Sequence, residues 1–110
     1  MLTAMYTQTE EVTLSTPEMS TLTGLTYRQL DYWIRNRVIP ANWITDNAQP
    51  GSGHHRRWRT EAIEPLIVAA RITRQLGKGT NLSSADMARV IRNHTDNYLD
   101  FGGGIRLTWT

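Results

Sequence analysis

A helix stop and a helix start lie two residues apart in the first third of the sequence, and they constrain the fold more than any other feature. Thr16-Pro17-Glu18 is a typical helix start, because its threonine can cap, its proline suits the first helical position and its acid favours the positive end of the helix dipole. Gly24 supplies the positive φ that commonly ends a helix, and Thr26 can cap the next one. The pattern predicts two short helices, over 17–23 and 27–37, joined by a tight turn.

The second predicted helix has an apolar face and a polar face. Three apolar residues recur at helical spacing and are expected to point inward: Leu30, Trp33 and Ile34. Three polar residues recur four and three positions apart and share a different face: Arg28, Tyr32 and Arg35. In the first helix, we expect Met19 and Leu22 to be buried.

Extended segments are predicted on both sides of the helix pair. Val12 and Leu14 alternate with polar neighbours, and this segment can form a short strand. Two further runs, at about 42–45 and 54–58, flank the Gly/Pro-rich loop 47–53 and predict a β-hairpin. Trp43 and Trp58 are its expected apolar anchors.

Two more helices are predicted after the hairpin. The third covers 61–76 with Thr60 as its cap, and Pro65 within its first turns predicts a bend or a start displaced to Glu64. The fourth covers 85–94 and is capped by Ser83 or Ser84. We expect its core side chains to be Met87, Val90 and Ile91.

The last residues have a strand pattern. Ile105, Leu107 and Trp109 alternate with polar residues, which predicts a strand with one apolar face. The sequence leaves open whether it pairs within the chain, for example with 12–14, or with another protomer. The expected organisation is a flexible arm over 1–11, a domain over 12–95 and a tail over 96–110 that is a candidate oligomerisation element. The predicted fold class is mainly α with small β elements, with three to four helices, a β-hairpin and a C-terminal strand.

Positive charge is concentrated in one part of the chain. Eleven of the twelve cationic residues are arginine, and six of these lie within 28–59, opposed there only by Asp31 and Asp46. The guanidinium group offers a planar fork of donors that matches phosphates and base edges. A basic block inside a chain of net charge +2 therefore predicts a surface directed at a polyanion.

The start of the second helix and the hairpin supply the candidate contacts. In a helix–turn–helix, the N-terminal residues of the second helix reach base edges in the major groove of DNA. Arg28 can read guanine and Gln29 adenine, while Tyr32 and Arg35 are placed for phosphates. The full predicted DNA-binding set is Thr26, Tyr27, Arg28, Gln29, Tyr32, Arg35, Arg37, His54, His55, Arg56 and Arg57.

These residues resemble the winged helix–turn–helix domain of the MerR family of bacterial regulators. That family shows a Gly, a small apolar residue and Ser/Thr before Leu-Arg-Tyr-Tyr, and a wing run of Tyr-Arg-x-Tyr. This chain has Gly24-Leu25-Thr26, then Leu30-Asp31-Tyr32-Trp33, and His55-Arg56-Arg57-Trp58 in the wing position. The third predicted helix, from Thr60-Glu61 to Leu76-Gly77, also fits, so that the resemblance covers roughly 12–94.

The resemblance implies a role for particular positions. Helix contacts would come from Thr26, Tyr27, Arg28 and Tyr32, and the wing contact from Arg56. Three positions depart from the family: Asp31 replaces an arginine, and His55 and Trp58 replace tyrosines. The chain looks like the members of this family that lack an effector domain and occur in actinobacteria and their phages. Those proteins act as transcriptional regulators or as excision factors.

The composition argues against several other classes of protein function. The absence of cysteine excludes disulfides and thiolate chemistry, and no apolar run approaches the ~20 residues of a membrane span. His54 and His55 are adjacent, which is poor spacing for a shared metal. We find no nucleophile–base pairing or phosphate-cradling loop, so we expect a non-enzymatic, cytoplasmic, nucleoid-associated protein without metal, cofactor or small-molecule effector.

The expected partners follow from this interpretation. They are double-stranded DNA, further copies of the chain on that DNA, and an integrase or RNA polymerase, with no membrane contact. The leading interpretation is a small transcriptional regulator. One alternative is an excision factor that bends DNA for an integrase, and another is a protein-interaction module that uses the C-terminal strand.

Overall fold

The computed structural model describes residues 12–46, 56–76 and 82–110. Within these ranges the protein is mainly helical with small antiparallel sheets, which confirms the predicted fold class. The helices are α1 (Thr16–Thr23), α2 (Tyr27–Arg35), α3 (Ile63–Leu76) and α4 (Ser84–Arg92). The strands are β1 (Thr13–Ser15), β2 (Ile44–Asp46), β3 (Arg56–Arg59), β4 (Tyr98–Gly102) and β5 (Ile105–Thr108).

Helix α1 starts one residue earlier than predicted, because Ser15 rather than Thr16 is its cap. The Ser15 hydroxyl accepts from the backbone N–H of Glu18 (3.2 Å), and the Glu18 carboxylate accepts from the backbone N–H of Ser15 (2.8 Å). These two bonds form a capping box. The hydrogen bond from the Ser15 backbone is the main cause that lowers the pKa of Glu18 below its ordinary value. Thr16 is buried instead and accepts a hydrogen bond from the indole N–H of Trp58 (3.0 Å).

The buried face of α1 shares only one residue with the predicted one. Met19 is fully buried as expected, but Leu22 is 51% exposed. The inward residues are Thr16, Met19 and Thr23, spaced three and four apart, so Leu22 falls outside the buried stripe. Gly24 ends the helix at φ 83°, as predicted from the sequence.

Helix α2 ends at Arg35, two residues before the predicted end. Arg37 adopts φ 61°, and the backbone N–H of Val38 bonds to the carbonyl of Trp33 (2.9 Å). The N–H of Arg37 bonds to the carbonyl of Ile34 (3.2 Å), which completes a Schellman motif. This sharp exit turns Val38 into the core, where it is 2% exposed.

The predicted hairpin is present as β2 and β3, and β1 extends it into a three-stranded antiparallel sheet in the order β1–β3–β2. Trp58 of β3 lies opposite Leu14 on one side and Ile44 on the other. The first part of the predicted strand 42–45 is instead a 3-10 turn over Ala41–Trp43, closed by a bond from the Trp43 N–H to the Pro40 carbonyl (3.1 Å). The predicted loop 47–53 and the start of the second run lie outside the described residues.

The third and fourth helices follow the prediction with shifted ends. Thr60 makes no capping hydrogen bond and opens a 3-10 turn, Thr60–Ala62, so that α3 begins at Ile63 with Pro65 in its first turn. In α4 the cap is Ser83, and the three expected core residues are buried. The helix ends at Arg92, two residues before the prediction, and a third 3-10 turn begins at His94.

The C-terminal strand pairs with a strand that the sequence did not reveal. β5 is antiparallel to β4. Its partner within this chain is therefore β4 and not the segment 12–14. Leu99 and Trp109 are buried, at 4% and 5% exposure, and attach this second hairpin to the core. Ile105 is 66% exposed, contrary to the single apolar face predicted, although it alternates with Leu107 along β5. It directly follows the turn at 103–104, at the end of the hairpin farthest from the buried Trp109.

None of the helices in the described part of the chain is long and apolar enough to cross a membrane.

Candidate nucleic-acid interface

Helix α2 presents one side to the core and the opposite side to solvent. Leu30 and Trp33 are buried, at 1% and 8% exposure, and hold the helix against the domain. Five residues lie on the outward side and are called the α2 face below: Tyr27, Arg28, Asp31, Tyr32 and Arg35. A three-residue turn, 24–26, connects this helix to α1, which packs against it. The α2 face is therefore held from behind by the core and is largely open to solvent within the described part of the chain.

The start of α2 is closed by a capping box. The Thr26 hydroxyl accepts from the backbone N–H of Gln29 (3.0 Å), and the Gln29 side-chain oxygen accepts from the backbone N–H of Thr26 (2.9 Å). The amide oxygen of Gln29 is thus used locally, and its side chain lines a cavity between α2, α3 and α4. Thr26 and Gln29, both predicted contacts, are placed to shape the helix start.

The first turn of α2 carries the most accessible of the predicted contacts. Tyr27 and Tyr32 are 52% and 51% exposed, and Arg28 is also exposed. Arg28 makes no hydrogen bond or ion pair with any residue that the structure describes. The first turn, all of it described, contains no acidic residue, so the positive end of the helix dipole is not neutralised there.

Asp31 links the helix to the hairpin. Its Oδ2 lies 3.0 Å from Nη2 of Arg35, four residues on, and its Oδ1 lies 3.3 Å from Nη1 of Arg56 on β3. The second pair joins residues 25 positions apart in sequence. Arg56 is thereby brought to the edge of the α2 face.

Arg57 points elsewhere. Its Nε donates to the hydroxyl of Thr13 (3.1 Å), and its Nη2 donates to the Thr13 carbonyl (3.1 Å). Successive residues of a strand point to opposite faces, so Arg56 and Arg57 cannot both reach α2. The structure thus unites Arg56 with the helix contacts and assigns Arg57 to holding β1.

Arg37 lies beyond the helix in a left-handed conformation. Its side chain is exposed and has no hydrogen-bond or ion-pair partner among the residues described. A non-glycine residue at positive φ costs roughly 1 kcal/mol relative to glycine. The Schellman hydrogen bonds and the burial of Val38 hold this turn, whereas the side chain of Arg37 makes no pair within the described chain that offsets the cost. The remaining predicted contacts, His54 and His55, lie outside the described residues.

Sequence reasoning identified the basic residues but missed the role of the acid among them. The i,i+4 spacing of Asp31 and Arg35 is a recognisable ion-pair signal. The pair with Arg56 depends on strand register and has no local signal. Across 12–46, 56–76 and 82–110, no cluster of three or more His, Cys, Asp or Glu residues could hold a metal ion.

Comparison with known proteins gives no independent assignment. No protein-family model matches the chain, and no curated protein and no solved structure matches it. The side-chain geometry described above is therefore the basis of the functional proposal.

Proposed function

We propose that this protein binds duplex DNA as a small MerR-like winged helix–turn–helix regulator. The α2 face would enter the major groove, and the base of the β2–β3 hairpin would lie against the phosphate backbone. The interaction needs neither a cofactor nor a small-molecule effector. Several copies would bind together, because a single small module buries limited surface on DNA.

The observation that carries this proposal is the solvent-facing, basic and aromatic side of a short, braced helix. Leu30 and Trp33 fix α2 from behind, and the cap at Thr26 fixes its start. A helix of this width fits the major groove, with its N-terminal residues nearest the bases. Arg28, at the second position of α2, is free to form a bidentate contact with guanine.

The arginines around α2 support contact with the backbone. Arg56 reaches the α2 face from β3, which is the place of a wing residue in this class of domain. Tyrosine hydroxyls and arginines commonly contact phosphates and so fix the register of a protein on DNA. Tyr32 and Arg35, one and two turns along α2, occupy positions suited to that task.

The strained backbone at Arg37 also favours a binding role. Left-handed conformations of non-glycine residues persist where the surrounding structure enforces them and are concentrated at functional sites. Glycine would be the favourable residue at this Schellman position. An exposed arginine retained there is explained by an external anionic partner, for which a phosphate is the natural candidate.

Binding is tested by fluorescence anisotropy with a labelled duplex of mixed sequence, about three helical turns long. We expect the logarithm of affinity to fall with the logarithm of salt concentration, with a slope of about −3 to −4 for about four phosphate contacts. Selection from a pool of random duplexes would then yield the preferred site.

The variant Arg28→Ala is expected to bind the selected site more weakly. It should also lose the discrimination at the base that Arg28 contacts, which is worth about 1 to 3 kcal/mol. Arg92→Ala is the control, because it removes another exposed arginine, at the C-terminal end of α4 and outside the α2 face. Equal affinities for Arg28→Ala, Arg92→Ala and the parent protein would refute the proposed surface.

The regulatory role has its own measurement. Genome-wide footprinting is expected to place the protein at promoters. Binding sites confined to the region where an integrase recombines DNA would indicate instead an excision factor that binds DNA through the same surface.

A further inference from the structure

The centre of the α2 face is occupied by a carboxylate rather than a cation. Asp31 follows Tyr27 by four residues and precedes Arg35 by four, so it lies midway along the outward stripe of the helix. Its side chain is 43% exposed. A polyanion that lies along the α2 face would therefore pass close to this carboxylate.

Both oxygens of this carboxylate are engaged by arginines from different elements. Oδ2 pairs with Arg35 on the same helix at 3.0 Å, and Oδ1 pairs with Arg56 on β3 at 3.3 Å. A guanidinium group binds carboxylate and phosphate oxygens through the same fork of donors. Asp31 therefore occupies, in the free protein, the place that a phosphate oxygen would take between these two arginines.

From this geometry we propose that Asp31 is a specificity-determining residue that acts as an internal counter-ion. It competes with DNA phosphates for Arg35 and Arg56, and it lowers the affinity of the protein for duplexes of arbitrary sequence. The inference rests on the proposed function, because it concerns the same surface and the same ligand.

Exposure separates this role from a purely structural one. The side chains of Arg35 and Arg56 are 67% and 29% exposed. Ion pairs of this exposure contribute little to folding stability because water and salt screen them. A single negative charge within the binding face nevertheless repels every phosphate that approaches. Its effect on non-specific binding, which is almost entirely electrostatic, is therefore larger than its effect on the fold.

Selectivity follows from the competition. On arbitrary DNA, phosphates must displace Asp31 from both arginines without compensation from base contacts. At a preferred site, contacts made by residues such as Arg28 add to the phosphate contacts and offset that displacement. The carboxylate thus increases the ratio of specific to non-specific affinity, which is the quantity that matters among many competing sites.

The test compares Asp31→Asn with Asp86→Asn. Asp31→Asn keeps the side-chain shape and removes the charge. Asp86 forms an i,i+3 pair with Arg89 on α4 at 3.2 Å, with a side chain 30% exposed, so its substitution makes the same change in net charge outside the α2 face. Affinity for the mixed-sequence duplex is measured by anisotropy over a range of salt concentrations, and circular dichroism checks the fold.

We expect Asp31→Asn to bind the mixed-sequence duplex more tightly, with a salt slope steeper by about 1 to 2 than in the parent protein. Each added phosphate contact makes the loss of affinity between about 50 and 200 mM salt about three- to four-fold larger. Asp86→Asn should show at most a small part of this gain. Combining Asp31→Asn with Arg35→Ala and Arg56→Ala should abolish the gain, because the freed cations are then absent.

Two results would overturn the inference while leaving the proposed function intact. One is an Asp31→Asn protein that binds no more tightly than Asp86→Asn although Arg28→Ala still weakens binding. The other is weaker binding by Asp31→Asn, which would mean that Asp31 positions the arginines rather than competing for them. If the parent protein, Asp31→Asn and Asp86→Asn all fail to bind any duplex, the proposed function fails and this inference fails with it.

Discussion

The hydrogen bond between Trp58 and Thr16 provides the sharpest test of how the hairpin is attached to the helices. The indole N–H of Trp58 donates to the Thr16 hydroxyl at 3.0 Å, and the two residues are 0% and 4% exposed. The substitution Thr16→Val keeps the side-chain shape but removes the acceptor. A buried donor without a partner costs about 1 to 3 kcal/mol. We therefore expect Thr16→Val to destabilise the protein by about that amount.

A matched control separates the hydroxyl from the methyl group. Thr16→Ser keeps the acceptor and loses one buried methyl, which costs about 0.8 kcal/mol. For a domain of this length, 1 kcal/mol corresponds to a shift of about 4 °C in Tm. Urea unfolding followed by Trp fluorescence gives the free energies, with a slope of about 1 to 1.5 kcal/mol per molar.

A double-mutant cycle isolates the bond itself. Trp58→Phe removes the donor, and combining it with Thr16→Val removes both partners. We expect a coupling free energy of about 1 kcal/mol. A Thr16→Val protein as stable as Thr16→Ser, together with a coupling free energy of zero, would show that this bond does not anchor β3 to α1.

Three further predictions concern other parts of the fold. Arg37→Gly should stabilise the protein by about 0.5 to 1 kcal/mol in urea unfolding, because glycine adopts positive φ without strain, yet weaken DNA binding in the anisotropy assay. The lowered pKa of Glu18 means that its cap stabilises the fold above the ordinary glutamate pKa and is lost as the pH falls through the lowered value. The stability advantage of the parent over Glu18→Gln, measured by urea unfolding, should therefore shrink between pH 7 and about pH 3; a constant difference would contradict it. Leu99→Ala should cost about 2 to 4 kcal/mol, whereas Ile105→Ala should be nearly neutral; equal thermal shifts would mean that the second hairpin is not attached through Leu99.

Local chemistry was sufficient to predict the helix pair. Gly24 and Thr26 act on their own backbone neighbourhood, so the turn could be read from the sequence. The choice between Ser15 and Thr16 as the cap of α1 could not be predicted from the sequence, because both residues can cap. It was decided by Trp58, 42 positions away, which takes the Thr16 hydroxyl into the core.

Tertiary pairing explains the remaining misses. β4 has too short an alternation for a period of two to stand out, because Tyr98 and Leu99 are adjacent and three glycines follow Phe101, and it is extended because β5 pairs with it. The candidate surface was predicted as a set of cations at the correct positions on α2. The ion pair that brings Asp31 to Arg56, and the strand alternation that turns Arg57 away, depend on a register that sequence spacing does not encode.

The central position of β3 also has a consequence for the order in which the molecule forms. β1 and β3 are linked across a sequence separation of 44 residues, as in the contact between Thr13 and Arg57. Long-range strand pairing of this kind is slow, because the entropy of a long loop is lost before any contact compensates for it. Pairing of β3 with β1 closes a loop that contains α1, α2 and β2. Because Arg56 lies on β3, its pair with Asp31 is absent from any state of the chain in which β3 has not yet joined the sheet.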